Sequence, residues 1–429
     1  MARDWRKALR VTILSIGSRG DVQPLLAFAA ALNEAGHDVR CATFPKFEPL
    51  VRAAGLEFSP LAEGQMGREP ATGEGAEKAG HGNGGGPMLL QFLKDTRSVG
   101  GQRLRDALAA CEGTDAIVAN ELAMLVAWQV ARQRGARLVR VRLCPPPSVA
   151  NGPFARPARG LAWLLLRPWL GSGVREAGLP PLPRREPLSR LASEGVLELR
   201  AFSPALVGDG APSDGASAGG STYVTGFWFF DARLDPQPEP PLLEFLAAGP
   251  APVCVDFGSM PDDDPAATTA MVLEALRRAG QRGVLIRGTR RFHGAELPDT
   301  VFAVDSVDHS ALFGHCAAVV HHGGAGTLAA TLCAGVPSVV VPHMLDQRAW
   351  GRRLHELGAA PPPVPRRKLS VDRLYESIAA AATDAGMRAR AAVLGERIRA
   401  EDGVANALEV FERRIGTVAD QPPATVTND

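Results

Sequence analysis

This 429-residue chain has little of what a metal centre, a nucleic-acid interface or a membrane span requires. Its six cysteines, Cys41, Cys111, Cys144, Cys254, Cys316 and Cys333, show no CxxC or other ligand spacing, and most lie within apolar runs where a cysteine acts as a small hydrophobe. That pattern predicts a reducing, cytoplasmic compartment without disulfides or a structural metal. Charge is almost balanced, 47 basic against 46 acidic side chains. The basic excess that neutralises a phosphate backbone is therefore missing, and nucleic acid is not an expected partner. The most lipophilic stretch, LAWLLLRPWL at 161–170, is about half a bilayer span and is broken by Arg167 and Pro168. The opening MARDWRKALRVTILSIG passes from basic to apolar as a leader does, but it runs into SRGD rather than a small-residue cleavage site, which favours a first β-strand. No integral membrane association is expected.

What the chain does have is length, exceeding the roughly 250–300 residues at which one core stops growing, and apolar content of 45%. Two domains follow as the expectation. From the start, short β-type runs alternate with helical patterns: RVTILSI, a helix from about Pro24 to Ala35 stopped by Gly36, DVRCATF, then a helix near 46–54. A helix near 88–110, the strand DAIVAN, a helix near 122–134 and the strand ARLVRVRL continue the series. Such alternation predicts a parallel sheet covered by helices on both faces. The second half restarts with PVCVDFGSM, a helix over about 264–280, RGVLIRG, TVFAVDSV, AAVVHHGGAGT, a helix near 326–335, PSVVVPH and further helices to about 414.

Between these series lie segments that cannot bury enough surface to offset their ordering entropy. Residues 64–87 hold nine glycines without apolar periodicity, and GDGAPSDGASAGGS at 208–221 is similar. The proline-rich DARLDPQPEPP at 231–241 has the composition of a semi-rigid linker. The expected division is a first domain over 1–230, a linker over 231–250, a second domain over 251–400, a helix over 401–415 packing back on the first domain, and a disordered tail over 416–429.

HHGGAGT at 321–327 follows an apolar strand and opens a helix. Such a turn gathers unpaired backbone N–H groups and the positive end of a helix dipole, which together favour an anion. Glycines admit a phosphate closely, Thr327 adds a hydroxyl, and a strand-end histidine donates an N–H. Adjacent strand residues face opposite ways, so one histidine should meet the ligand while the other packs. The plainer alternative is a glycine turn whose histidines are satisfied in the core, because a glycine cluster alone is a weak signal.

The wider run HHGGAGTLAATLCAGVPSVVVPHMLDQRAWGRRLHELGAAPPPVPRRKLS resembles the nucleotide-sugar signature of the family 1 glycosyltransferases, above all the bacterial relatives of sterol glucosyltransferases and the glycopeptide and macrolide antibiotic glycosyltransferases. The resemblance extends to GSRGDVQPLLAFAAALNEAGHDV at 17–39, TGFWFFDA at 225–232, FGSMP at 257–261 and VFAVDSVDHSALF at 301–313. It implies an α/β architecture of GT-B type, two Rossmann-like domains with parallel sheets facing across a cleft, the first binding acceptor and the second nucleotide sugar. It implies that His321 contacts the donor diphosphate, helped by Gly324, Ala325, Gly326 and Thr327, that Asp346 and Gln347 bond the sugar hydroxyls, that Ser259 touches the nucleotide and that Val307 frames the base. Ser18 and Arg19 would reach the donor. Asp21 occupies the position of the general base, although an aspartate there also suits the cap of the following helix.

The implied reaction is an inverting transfer of a hexose or deoxyhexose from a UDP- or dTDP-sugar to a hydroxyl of a lipophilic natural product, a polyketide, macrolide, sterol or phenol. The nucleotide sugar is a co-substrate, and neither cofactor nor metal is implied; DDD at 262–264 reads as a helix-cap cluster. The enzyme would work as a monomer or homodimer. A non-catalytic nucleotide-sugar-binding protein of the same fold is the alternative of another class. Trp163 and Trp169, with Leu164, Leu165 and Leu166, either line an acceptor pocket or form a core helix. Leu328, Arg348 and Ala349 depart from the resemblance in the sugar region, Ala329 stands near the place of the plant family's ribose-binding glutamate, and Asp256 replaces a small residue before FGSM.

Overall fold

The computed structural model describes residues 8–64, 85–145, 155–191, 194–207, 221–230, 237–258, 264–287, 296–343 and 345–416, without the side chains of 85–97, 155–159, 169, 345 and 346. Ser259, most of the two glycine-rich loops, Asp262, Asp263 and the tail beyond 416 lie outside the described residues. The chain divides into two compact units, Met1–Phe230 with Asp402–Asp429, and Asp231–Glu401.

The first unit runs β1 (Arg10–Leu14), α1 (Arg19–Glu34), β2 (Asp38–Thr43), α2 (Glu48–Ala53), β3 (Glu57–Pro60), α3 (Gly85–Ala110), β4 (Ala116–Asn120), α4 (Met124–Arg134), β5 (Arg137–Arg142), α5 (Ala155–Glu176), β6 (Leu197–Arg200) and β7 (Thr222–Val224). Its seven strands lie in the order β3-β2-β1-β4-β5-β6-β7, and every pair is parallel. All of β4 is buried, as a central parallel strand covered on both faces must be. The helix expected from Pro24 starts earlier, at Arg19, and carries Pro24 inside it. Proline favours a first turn, but here Asp21 accepts the Ser18 N–H at 2.8 Å and starts the helix before it.

The second unit runs α6 (Pro240–Ala247), β8 (Val253–Asp256), α7 (Pro265–Arg278), β9 (Gly283–Ile286), β10 (Val301–Val304), α8 (His309–Phe313), β11 (Ala318–His321), α9 (Ala325–Ala334), β12 (Ser338–Val340), α10 (Leu345–Glu356), α11 (Val371–Thr383) and α12 (Ala385–Arg399). Its five strands lie in the order β10-β9-β8-β11-β12, again all parallel. Part of the proline-rich stretch read as linker is helix α6. Its prolines sit in the first turn, where a missing N–H costs nothing, and Leu242 packs into the core with Cys254 and Val319.

Helix α13 (Gly403–Phe411) belongs to the first unit. Phe411 meets the edge of Phe28, and Phe28 stacks on Trp228 with ring centroids 4.7 Å apart. Gly403 allows this docking, because a Cβ there would lie 2.3 Å from the Phe227 carbonyl oxygen. The six cysteines form no disulfide, and burial pushes the Cys111 thiol up to about 12. No helix among the described residues is long and apolar enough to cross a membrane.

The two sheets share one strand sequence. Each begins at a central strand, winds outward, and then returns to the other side, so the order reverses between β1 and β4 in the first unit and between β8 and β11 in the second. In open parallel sheets the crevice at the carboxyl ends of such a pair is where ligands sit.

Candidate functional site

In the second unit that crevice is bounded by Asp256 at the end of β8 and His321 at the end of β11, which are register partners. His321 is fully buried. Its Nδ1 accepts the Gly323 N–H at 3.1 Å, so the ring hydrogen resides on Nε2. That Nε2 makes no hydrogen bond among the described residues. Burial, then repulsion from His322, hold the ring's pKa down to about 3 against the pull of Asp256, so the imidazole is a neutral donor at physiological pH. A buried donor without an acceptor costs about 1–3 kcal/mol and is a group that an acceptor atom from outside the chain could satisfy.

His322 has a different task. A Cβ on Gly258 would lie 2.6 Å from its Cε1, and one on Gly324 would lie 2.2 Å from its Nε2. The ring is thus wedged against the turns after β8 and β11, and glycine at both positions makes the room. Gly258 has φ +59° and Gly323 φ +90°, conformations that side-chain-bearing residues rarely adopt.

Helix α9 opens at Gly324 with no side-chain cap and no acidic residue in its first turn. Its leading N–H groups, from Ala325, Gly326 and Thr327, therefore keep the positive end of the helix for an outside anion. Gln347 on α10 is 3% exposed and accepts the His343 N–H through Oε1 at 2.8 Å. Asp346 is the second residue of that helix; its side chain, like Ser259, lies outside what is described. Val307 is buried beside Leu312 and Phe313, leading into α8.

In the first unit the crevice holds Gly17, Ser18, Arg19 and Asp21. The Asp21 carboxylate accepts both the N–H and the hydroxyl of Ser18 through Oδ2, each at 2.8 Å. Gly17, at φ +135°, has no room for a side chain, since a Cβ would meet Asp21 Oδ2 at 2.4 Å. Ser18 and Arg19 are exposed.

Both halves also resemble known proteins. Residues 11–101 match the glycosyltransferase family 28 N-terminal domain, and residues 274–409 match the C-terminal domain of the erythromycin biosynthesis protein CIII-like family. The chain is 34% identical to sterol 3-beta-glucosyltransferase UGT80B1 of Arabidopsis thaliana, covering 95% of this chain and 68% of that protein. It is 32% identical to O-mycaminosyltylonolide 6-deoxyallosyltransferase of Streptomyces fradiae, over 94% of this chain and 97% of that one. The solved glycosyltransferase SsfS6 of Streptomyces sp. SF2575, complexed with thymidine diphosphate, superposes with a TM-score of 0.61 at 21% identity, covering 94% and 99% of the two chains. The chain belongs to the GT-B glycosyltransferases.

Two contributors to the glycosyltransferase's crevices escaped the sequence reading. Asn120, at the end of β4, donates to the Ile16 carbonyl at 2.8 Å and accepts the Ala123 N–H at 3.1 Å. It pins the backbone just before Gly17, and its only sequence signal is a polar residue closing an apolar strand. His309, within the quoted VDHSALF, lies with Nε2 3.2 Å from Asp256 Oδ2.

On α5 the glycosyltransferase separates the residues read together. Trp163 is buried, its indole N–H donating to the Pro183 carbonyl at 3.1 Å, whereas Leu161, Leu164 and Leu165 are exposed by 60% or more. The side chain of Trp169 is outside the described residues.

Proposed function

We propose that this glycosyltransferase moves a hexose or deoxyhexose from a UDP- or dTDP-sugar, with inversion and without a metal ion, to a hydroxyl of a lipophilic small molecule of the sterol or macrolide kind. The observation carrying the donor side is the fully buried His321 Nε2–H with no acceptor among the described residues, beside a helix N-terminus left uncapped. A diphosphate supplies acceptor oxygens for both. The acceptor class rests on the relatives, one named for a sterol and one for O-mycaminosyltylonolide, and thymidine diphosphate in SsfS6 supports a pyrimidine nucleotide.

In this reading the second unit binds the leaving group. The α9 N–H groups and His321 meet charge as it develops on the departing diphosphate, the role of preorganised donors in transfer reactions. Gln347 and Asp346 hold the sugar, and Ser259 and Val307 the nucleotide. The first unit supplies Asp21, which takes the proton of the acceptor hydroxyl as its oxygen attacks the anomeric carbon. Ser18 orients that carboxylate, and Arg19 serves the donor.

Calorimetric titration with UDP, TDP and GDP tests the donor assignment. Selective binding of UDP or TDP is expected and would choose the sugar nucleotides for an acceptor screen with chelator present. Equal binding of GDP, or binding of none, contradicts the assignment.

A further inference from the structure

Asp256 is 5% exposed, an ionisable group buried where the second sheet reverses direction. Burial alone would raise its pKa, but the hydrogen bond from His309, the Gly258 N–H and the neighbouring imidazoles outweigh that and hold it down to about 2. The carboxylate is spread between two partners. Oδ1 accepts the Gly258 N–H at 2.7 Å, and Oδ2 lies 3.2 Å from His309 Nε2. One side chain thereby ties the turn after β8 to the first residue of α8.

The second of these bonds fixes more than position. An ionised carboxylate only accepts, so a ring hydrogen of His309 sits on Nε2, and when the ring carries just that one, Nδ1 keeps its lone pair. Stacking on Phe313 at 4.6 Å with planes 14° apart sets the plane of the ring, the Asp256 contact sets which edge meets the carboxylate, and the side chain is 30% exposed. Val307, assigned above to the base, lies two residues earlier. His321, assigned to the diphosphate, is the register partner of Asp256. The part of a nucleotide that joins base to diphosphate is the ribose, whose hydroxyls donate.

We propose that Asp256 is a positioning residue for the nucleotide, taking the Nε2–H of His309 so that Nδ1 accepts a hydrogen bond from a ribose hydroxyl. This deepens the nucleotide reading and rests on it. Loss of one such bond corresponds to roughly tenfold in affinity.

The test titrates UDP and TDP against their 2′,3′-dideoxy counterparts, and records the ¹⁵N spectrum of the imidazoles to assign the His309 tautomer. Wild type should show His309 with hydrogen on Nε2 and bind the hydroxylated nucleotide about tenfold more tightly. Asp256→Leu should lose the tautomer preference and that tenfold margin. His309→Phe keeps the stack on Phe313 and should lose the margin too, and the double variant should lose no more than either single one. Hydrogen on Nδ1 in wild type, alone or together with Nε2, or a margin kept in Asp256→Leu, overturns the proposal. Binding without dependence on ribose hydroxyls defeats this inference and leaves the nucleotide site standing; failure of wild type to bind any nucleotide defeats both.

Discussion

The crevices of the two sheets are built to one plan and end in opposite polarity. Both lie between the first strand and the fourth of a parallel sheet wound in the same order, and both are formed by a glycine turn opening a helix. In the first unit the helix start is occupied by its own acid, Asp21, bonded to Ser18. In the second, α9 has neither cap nor acid, and His321 adds a buried donor. One turn offers an acceptor of protons and the other a set of donors for an anion. Architecture alone therefore does not assign a role, and the charge placed in the first helical turn does.

The largest way to sharpen this contrast is Asp21→Asn. It keeps the shape of the turn but removes the proposed base, and transfer should fall on the order of a thousandfold, read as kcat with a fixed donor and acceptor. Wild-type turnover in that variant would leave Asp21 as a cap only.

Next in size is the acid response of the second crevice. His321 has its pKa lowered from 6.5 to about 3 in the folded chain, so below 6.5 the unfolded state binds a proton that the native state refuses. Its contribution is complete above the unfolded pKa and is lost as pH falls toward the folded one. Thermal midpoints should drop as pH is lowered from about 6.5 toward 3, and the slope should be shallower in His321→Gln. An equal slope in both proteins would place the acid sensitivity elsewhere, for instance at His37, which burial also depresses.

The smallest expected effect concerns the wedge of His322. Gly258→Ala puts a side chain at φ +59° against that ring, and should lower stability by about 1–3 kcal/mol. A melting temperature equal to wild type would mean the turn after β8 can relax.

Much of this is legible in the sequence. The alternation of apolar runs with helical patterns carried the two parallel sheets, because a strand covered on both faces must be apolar throughout. Adjacency alone argued that His321 and His322 would take separate tasks. Other features depended on contacts between distant parts of the chain. The start of α1 was read from Pro24, whereas Ser18 and Asp21 set it. Asp256 had no visible purpose, because its partner His309 arrives only after β9 and β10 have been laid beside it. Asn120 holds Ile16 across a register that no local pattern announces. The pair Trp163 and Leu164 shows the same limit: an apolar helix reads as one stripe, and only the chain that covers it decides which face is core.

The proposed division of roles gives the anion to the second crevice and the proton to the first. Calorimetric titration of wild type, Asp21→Asn and His321→Ala with the preferred pyrimidine nucleoside diphosphate tests it most directly. Asp21→Asn should bind as wild type does, while His321→Ala should bind roughly ten- to a hundredfold more weakly, the loss of one hydrogen bond to a charged group. Unchanged affinity in His321→Ala, or a loss in Asp21→Asn as large, would contradict the division of roles.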